Sequence, residues 1–177
     1  MKKFNTKDLV LISILVALNI VLSRFLSISA WNVKVGFTFV TLFVAAYLYG
    51  PLVAGLVGSL GDLIGALLFP IGAYFPGFTL TAFLMGFVFG IFLHKNHRTK
   101  NIIISCLINE IVLSLFLNTL WIKILYNSNY FALLSTRLIQ AIVMSFVEIC
   151  FIKLFSKSIN QLERITKWIH IKPQYLI

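Results

Sequence analysis

Residues 50–80, GPLVAGLVGSLGDLIGALLFPIGAYFPGFTL, decide the fold class of this chain. They contain an apolar run, residues 52–69, bounded on both sides by proline and glycine. A second apolar run begins at Phe78, after an uncharged loop rich in turn-forming and aromatic residues. A helix needs roughly 20 mostly apolar residues to cross a bilayer. The stretch therefore predicts two membrane-crossing helices joined by a loop, with Asp62 as its single charge.

The composition of the whole chain agrees with this prediction. Of its 177 residues, 60% are hydrophobic and 11% are charged, whereas soluble domains have about 45–50% apolar and about 25% charged residues. A water-exposed globular surface cannot be built from this composition. The sequence predicts an all-α integral membrane protein with a single membrane domain over residues 1–177. No soluble ATPase, kinase or nucleic-acid-binding domain fits within this length.

Six apolar segments predict a bundle of six transmembrane helices. Charged residues, proline or glycine separate them, and they cover approximately residues 9–26, 35–49, 52–69, 78–93, 102–125 and 131–155. Residues 157–170 alternate isoleucine, leucine and tryptophan with lysine and arginine. This pattern predicts an amphipathic helix that lies on the inner surface of the lipid bilayer.

The basic residues orient the predicted bundle. Six crossings place both termini on one side, and eleven of the fifteen lysines and arginines fall on that side. The positive-inside bias then predicts cytoplasmic termini in a multi-pass protein of the cell membrane. It also accounts for most of the net charge of +10 without a nucleic-acid partner. Cleavage of the first segment as a signal peptide is the alternative, but it would leave five crossings and spoil this asymmetry.

The remaining cations lie in the outer half, and they indicate an anionic ligand. They are Arg24, Lys34, Lys123 and Arg137, and Asp62 is the single acidic residue beside them. Guanidinium groups bind carboxylates through paired hydrogen bonds, so a surplus of positive charge favours a carboxylate ligand. The alternative is a structural role in which Asp62 neutralises Arg24 or Arg137.

Two polar stripes run along the fifth and sixth segments. Each has a helical spacing that places its members on one face, and ionisable groups inside a membrane mark functional positions by default. The stripes are Glu110, Ser114, Asn118 and Trp121 in one segment, and Arg137, Gln140, Met144 and Glu148 in the other. We expect them to face a shared cavity. For Glu110 and Glu148, a structural and a functional role are equally open.

Aromatic residues are concentrated around the outer cations, where they could stack on a planar ligand or form an interfacial belt. They include Trp31, Phe37, Tyr74, Phe75, Phe78 and Trp121. Together with the cations they suggest a flat heteroaromatic ligand with carboxylates. The sequence has no phosphate-binding loop, no Ser/His/Asp set and no His-Glu-x-x-His helix. It therefore predicts neither an enzyme nor a metal or cofactor site.

Five short stretches resemble one family of membrane proteins. They are RFLSI (24–28), YGPLVAG (49–55), GDLIGALLFPIGAYFPGFTL (61–80), NTLW (118–121) and RLIQ (137–140). The chain resembles the folate-specific S components of energy-coupling factor (ECF) vitamin transporters, over most of its length. Residues 61–80 are the most specific part of this resemblance.

The resemblance implies how such a protein would work. A six-helix bundle would bind its vitamin from outside and deliver it by toppling within the membrane. A separate transmembrane scaffold and two cytoplasmic ATPases would drive this movement. Family members contact the scaffold through Ala-x-x-x-Ala in the first helix, and the matching positions here are Ser13 and Ala17.

We therefore expect a substrate-binding S component for folate or a related anionic vitamin, with folate as transported ligand and no cofactor. Asp62, Asn118 and Gln140 are expected to bind the pterin edge, and Phe75 and Trp121 to stack on it. Arg24, Lys34 and Arg137 are expected to bind the glutamyl carboxylates of folate. Phe37, Tyr74 and Phe78 complete the expected site. The alternatives are an S component for another vitamin such as pantothenate or thiamine, and a small membrane enzyme or assembly factor.

Overall fold

The computed structural model describes residues 5–30, 33–94 and 98–171, and for residues 28–30, 33–34 and 158–171 it describes the backbone alone. The regular elements of these residues are helices and one short hairpin, joined by loops. The helices are α1 (Thr6–Arg24), α2 (Thr38–Tyr49), α3 (Pro51–Leu68), α4 (Pro76–Leu93), α5 (Thr99–Leu107), a π-helix (Ile108–Leu117), α6 (Asn118–Tyr126) and α7 (Tyr130–Ile171). The strands are β1 (Ile28–Ala30) and β2 (Val33–Val35).

Five helices in the described part of the chain are long and apolar enough to span a membrane. The fifth apolar segment is one of them, because α5, the π-helix and α6 follow one another without a break over Thr99–Tyr126. Helix α2 has 12 residues, which corresponds to about 18 Å. It is therefore shorter than the hydrocarbon core of a bilayer, which is about 30 Å thick.

Helix α1 begins at Thr6, ahead of the apolar run, because its first turn is capped by polar side chains. The Asn5 side chain accepts a hydrogen bond from the backbone N–H of Thr6 at 2.8 Å. The backbone N–H of Asn5 donates to Asp8 Oδ2 at 3.0 Å, which completes a capping box. The first predicted segment begins at residue 9, because it was bounded by apolar residues, and so it omits this polar turn.

The connection between α1 and α2 contains the antiparallel hairpin of β1 and β2. Ile28 pairs with Val35, and Ala30 pairs with Val33. Trp31, an aromatic residue expected beside the ligand, lies outside the described residues.

Helix α7 includes both the sixth apolar segment and the predicted amphipathic stretch over residues 157–170. It is one helix of 42 residues, Tyr130–Ile171. No glycine or proline lies between the end of the sixth apolar segment and residue 171. Adding residues to an existing helix costs little, so the helix continues where the hydropathy changes.

Glycines allow α3 and α4 to pack with their backbones in contact. A Cβ on Gly86 would clash with the backbone oxygen of Ala54, and a Cβ on Gly90 would clash with the backbone of Pro51. Small residues at four-residue spacing permit this close approach of membrane helices. Gly86 and Gly90 therefore form the packing surface of α4 against α3.

We predict that Gly86→Ala lowers the free energy of unfolding by about 1–3 kcal/mol. The new methyl group has to push α3 and α4 apart, because the atom it meets belongs to the rigid backbone of Ala54. Thermal unfolding of the detergent-solubilised protein measures the change. The matched control is Gly72→Ala, where the new Cβ would meet the Tyr126 hydroxyl at 3.5 Å, an ordinary contact. Equal unfolding temperatures for the two variants would contradict the close helix contact.

Candidate ligand-binding site

An ion pair joins α1 to α3 beside the site. Arg24 Nη2 lies 3.4 Å from Asp62 Oδ1 and donates to the Asp62 backbone oxygen at 3.3 Å. Thr79, on α4, donates to the second carboxylate oxygen of Asp62 at 2.8 Å. Gly65 makes room for the arginine, since a Cβ there would stand 2.8 Å from Arg24 Nε. Three helices therefore meet at Asp62, and the structural pairing of Asp62 with Arg24 is the alternative that the structure supports.

The first of two cavities is lined largely by the loop between α3 and α4 and by aromatic side chains. We call it the aromatic cavity, and its volume is about 550 Å³. Tyr74, Phe75 and Phe78 line it together with Arg24 and Tyr126. Arg24 and the two tyrosines therefore offer polar groups within a lining that also contains aromatic rings.

Trp121 supports the aromatic cavity from behind and does not line it. Its ring centroid lies 5.5 Å from that of Phe75. Its indole N–H donates to Thr81 Oγ1 at 2.9 Å, so the indole satisfies its only hydrogen-bond donor within the protein. The expected stacking surface is consequently the Phe75 ring, held in place by Trp121.

The second cavity is smaller and more polar. We call it the polar cavity, and its volume is about 170 Å³. Both cavities share Asp62, Asn118 and Arg137 in their linings, so they adjoin at these residues. The other polar side chains around the polar cavity include Asn19, Asn109, Glu110, Ser114, Gln140 and Glu148.

The π-helix brings several of these groups to the polar cavity. Asn109 and Glu110 are neighbours in sequence, and both are buried there together with Ser114. A π-helix has wider turns than an α-helix and occurs often at functional sites. Arg137, on α7, donates to the backbone oxygen of Ser114 at 3.1 Å, so the π-helix is tied to the facing helix.

The charges around the two cavities differ from the expected surplus of cations. Arg24 is paired with Asp62, and Arg137 lies close enough to Glu110 for a direct electrostatic interaction. Lys123 is exposed and lines neither cavity, and the side chain of Lys34 lies outside the described part of the structure. Among the described side chains, Arg24 and Arg137 therefore each have an acidic neighbour, and Glu110 is one that the count of outer charges did not include.

Most of the predicted site residues come together. Arg24, Asp62, Tyr74, Phe75, Phe78, Asn118, Arg137 and Gln140 line one or both cavities. Phe37 lines neither, and 45% of its surface is exposed. Ser13 and Ala17 are exposed on α1, away from the cavities.

Two asparagines of the polar cavity were absent from the predicted site. Asn19 is buried in α1 and donates to Thr41 Oγ1 at 2.7 Å. Its signal in the sequence was a lone amide within an apolar segment. Asn109 precedes the predicted stripe by one residue, and the wider π-helical turn brings it to the same face. Glu110 and Glu148 lay on the predicted stripes without an assigned role.

Comparisons with known proteins identify the family. A model of the family described as "ECF-type riboflavin transporter, S component" matches residues 3–159. The folate transporter FolT of Clostridium novyi is 34% identical over 168 residues, which cover 94% of this chain and 96% of that protein. FolT of Leuconostoc mesenteroides is 32% identical over 149 residues, which cover 80% of each chain.

The fold agrees with that of a solved relative. A crystal structure described as FolT bound with folic acid superposes with a TM-score of 0.83 at 31% identity, and the match covers 87% of this chain and 95% of that chain. S components are transporter subunits and not enzymes, and the apolar helices of the present fold agree with a multi-pass membrane protein. The chain belongs to the S-component family of ECF-type transporters.

Proposed function

We propose that this chain is the folate-binding S component of an ECF-type importer. The observation that carries the proposal is the pair of adjoining cavities, one polar and one aromatic, in a fold that is shared with FolT bound with folic acid. Folate combines a hydrogen-bonding pterin with an aminobenzoyl ring and a glutamate. The pterin suits the polar cavity, and the aminobenzoyl ring and glutamate suit the aromatic cavity. Both relatives described above are named as folate transporters.

The pterin occupies the polar cavity in this proposal. A cavity of about 150 Å³ holds a benzene ring, so a volume of about 170 Å³ suits one planar ring system that extends towards the neighbouring cavity. Asn118 and Gln140 offer amide groups to the pterin edge. Asp62 contributes mainly by positioning Arg24, because the arginine and Thr79 already occupy its carboxylate.

The aminobenzoyl and glutamate parts lie in the aromatic cavity. Phe75 offers its ring as a stacking surface, and Trp121 fixes that ring from behind. Arg24 Nε is buried and has no hydrogen-bond partner among the described residues. It is therefore available to a carboxylate of the ligand, together with Tyr74 at the same cavity.

Titration calorimetry on the purified chain in detergent, without partner subunits, tests the proposal. We expect saturable binding of folic acid and much weaker binding of riboflavin, the vitamin in the name of the family model. Phe75→Ala should weaken folic acid binding about fivefold or more, because an aromatic pair contributes about 1 kcal/mol beyond its buried area.

The control is Phe131→Ala, which removes a ring that is 78% exposed and lines neither cavity. It should leave the Kd for folic acid unchanged. Tighter binding of riboflavin than of folic acid, or no saturable binding of folic acid, would overturn the proposed function.

We further infer that the bundle crosses the membrane six times with both termini in the cytoplasm. Five described helices are long enough to cross, and the hairpin of β1 and β2 lengthens the path that leads into the short α2. The predominance of basic residues near the termini and the α4–α5 connection supports this orientation. The loop between α3 and α4 then faces outside.

Cysteine labelling in intact cells tests this orientation. In a Cys150→Ser background the remaining Cys106 is buried. We expect Gly72→Cys, in the exposed loop between α3 and α4, to react with a membrane-impermeant maleimide. Thr99→Cys, exposed at the start of α5, should react after the cells are permeabilised and not before. Labelling of Thr99→Cys in intact cells would contradict the orientation.

The exposed face of α1 is the proposed contact for the transmembrane scaffold, which works with two cytoplasmic ATPases. Ser13 and Ala17 are small and exposed one helical turn apart. Ser13 Oγ donates to the backbone oxygen of Leu9 at 2.9 Å, so its hydroxyl needs no partner from lipid. Ile14 and Leu18 beside them are 55% and 42% exposed. This gives a smooth apolar surface that a neighbouring helix can approach closely.

We predict that Ala17→Trp abolishes folate uptake in cells that contain the scaffold and ATPases, because the indole holds the partner helix away. Binding of folic acid to the purified variant should stay within twofold of the original, since Ala17 lines neither cavity. Ile139→Trp, at a position of α7 that is 69% exposed, is the control and should transport normally. Normal uptake by the Ala17→Trp variant would exclude this face as the contact.

A further inference from the structure

Three hydrogen-bond donors on the wall of the polar cavity are already used within the protein. The Asn19 amide N–H donates to Thr41 Oγ1 at 2.7 Å, and the Asn109 amide N–H donates to the Met85 backbone oxygen at 3.2 Å. Arg137 Nη2 donates to the Ser114 backbone oxygen at 3.1 Å. These bonds direct the donors away from a ligand and also fix which end of the Asn109 amide is the oxygen.

Four acceptor atoms on the same wall are unused. Asn109 Oδ1, Glu110 Oε2, Asn118 Oδ1 and Glu148 Oε2 are buried and have no hydrogen-bond partner among the described residues. Asn109, Glu110 and Glu148 are 2%, 6% and 4% exposed. Buried polar atoms without partners are costly. The wall therefore favours a ligand that brings several N–H donors.

Glu110 and Glu148 stand side by side at this wall. Their carboxyl groups lie within hydrogen-bonding reach of each other, and a hydrogen bond between two carboxyl groups requires a proton on one of them. Cys106 reaches Glu148 from α5, and Arg137 lies near Glu110. The pair can thus present a charged carboxylate to a ligand without burying two full negative charges.

The pyrimidine ring of a pterin meets this wall imperfectly. Its 2-amino group and adjacent ring N–H are donors, but its 4-oxo group is an acceptor and cannot bond to the four acceptor atoms named above. A 2,4-diaminopteridine replaces that oxygen with a second amino group. Its ring also takes up a proton readily, and the resulting amidinium edge can form two parallel hydrogen bonds with one carboxylate.

We propose that the Glu110–Glu148 pair makes the polar cavity selective for donor-rich aminopyrimidine edges, so that 2,4-diaminopteridines are ligands and bind more tightly than their 4-oxo counterparts. The inference rests on the proposed function, because it places a pteridine in the polar cavity. It assigns Glu110 and Glu148 the role of distinguishing between ligands, where a purely structural pair would be indifferent to the group at C4.

Folic acid and aminopterin form a matched pair of ligands, since they differ only by oxo or amino at C4. In titration calorimetry on the purified chain, we expect aminopterin to bind about tenfold or more tightly than folic acid, as a charge-assisted hydrogen bond is worth about 1.5–3 kcal/mol. Glu148→Gln and Glu110→Gln keep the shape of the side chain and remove the charge. We expect each to weaken aminopterin binding about tenfold and folic acid binding much less.

Ser145→Ala, a buried change on α7 that lines neither cavity, should leave the ratio of the two Kd values unchanged. Thermal unfolding of each variant shows whether it is folded, and the ratio in the unsubstituted chain tests the selectivity even where a variant is not. Tight folic acid binding with equal or weaker aminopterin binding overturns this inference alone. An unchanged ratio in both folded Gln variants also overturns it, and binding of neither ligand overturns the proposed function as well.

Discussion

The contact between Arg24 and Asp62 determines how α1, α3 and α4 are arranged around the site. An ionised side chain in the membrane interior must find a partner inside the protein, because hydrocarbon offers neither hydrogen bonds nor counter-charge. Asp62 satisfies this requirement by accepting from Arg24 on one side and from Thr79 on the other. The aromatic cavity opens beside this contact, and Arg24 and Asp62 both line it. The interaction that positions these helices therefore also forms part of the cavity wall.

The closeness of α3 and α4 complements this arrangement. Glycines let their backbones touch, which removes any space between these two helices. The cavities consequently lie between this compact pair and the polar stripes of the π-helix and α7. On that opposite wall, Arg137 is held by the Ser114 backbone oxygen and by the nearby Glu110. Both arginines of the site therefore have partners from a different helix, which restrict the positions of their side chains.

The amino-acid sequence predicted the membrane class, the apolar segments and the polar residues that the two cavities share, because hydropathy and helical spacing are local properties. The partners of the charged groups could not be predicted with the same success. Arg137 lies in the outer half by its position along the chain, but its partner Glu110 belongs to a helix whose turns are wider than the spacing rule assumes. Asn109 was not predicted to line the cavity, because it joins the polar face only through the wider turn of the π-helix. The hairpin of β1 and β2 and the length of α7 depend on backbone pairing and on the lack of a helix breaker, and neither follows from hydropathy.

The length of α7 has a mechanical consequence. A continuous helix of 42 residues measures about 63 Å, roughly twice the thickness of the hydrocarbon core. Arg137 and Glu148 of the polar cavity lie in the first half of this helix, and its second half extends well past the last apolar segment without a glycine or proline. Such a helix couples the movement of its C-terminal end to that of the residues around the polar cavity, because no break separates them. A modest tilt of the bundle about the membrane plane would displace the far end of α7 by many ångströms, and resistance met at that end would be transmitted directly to the residues that surround the ligand.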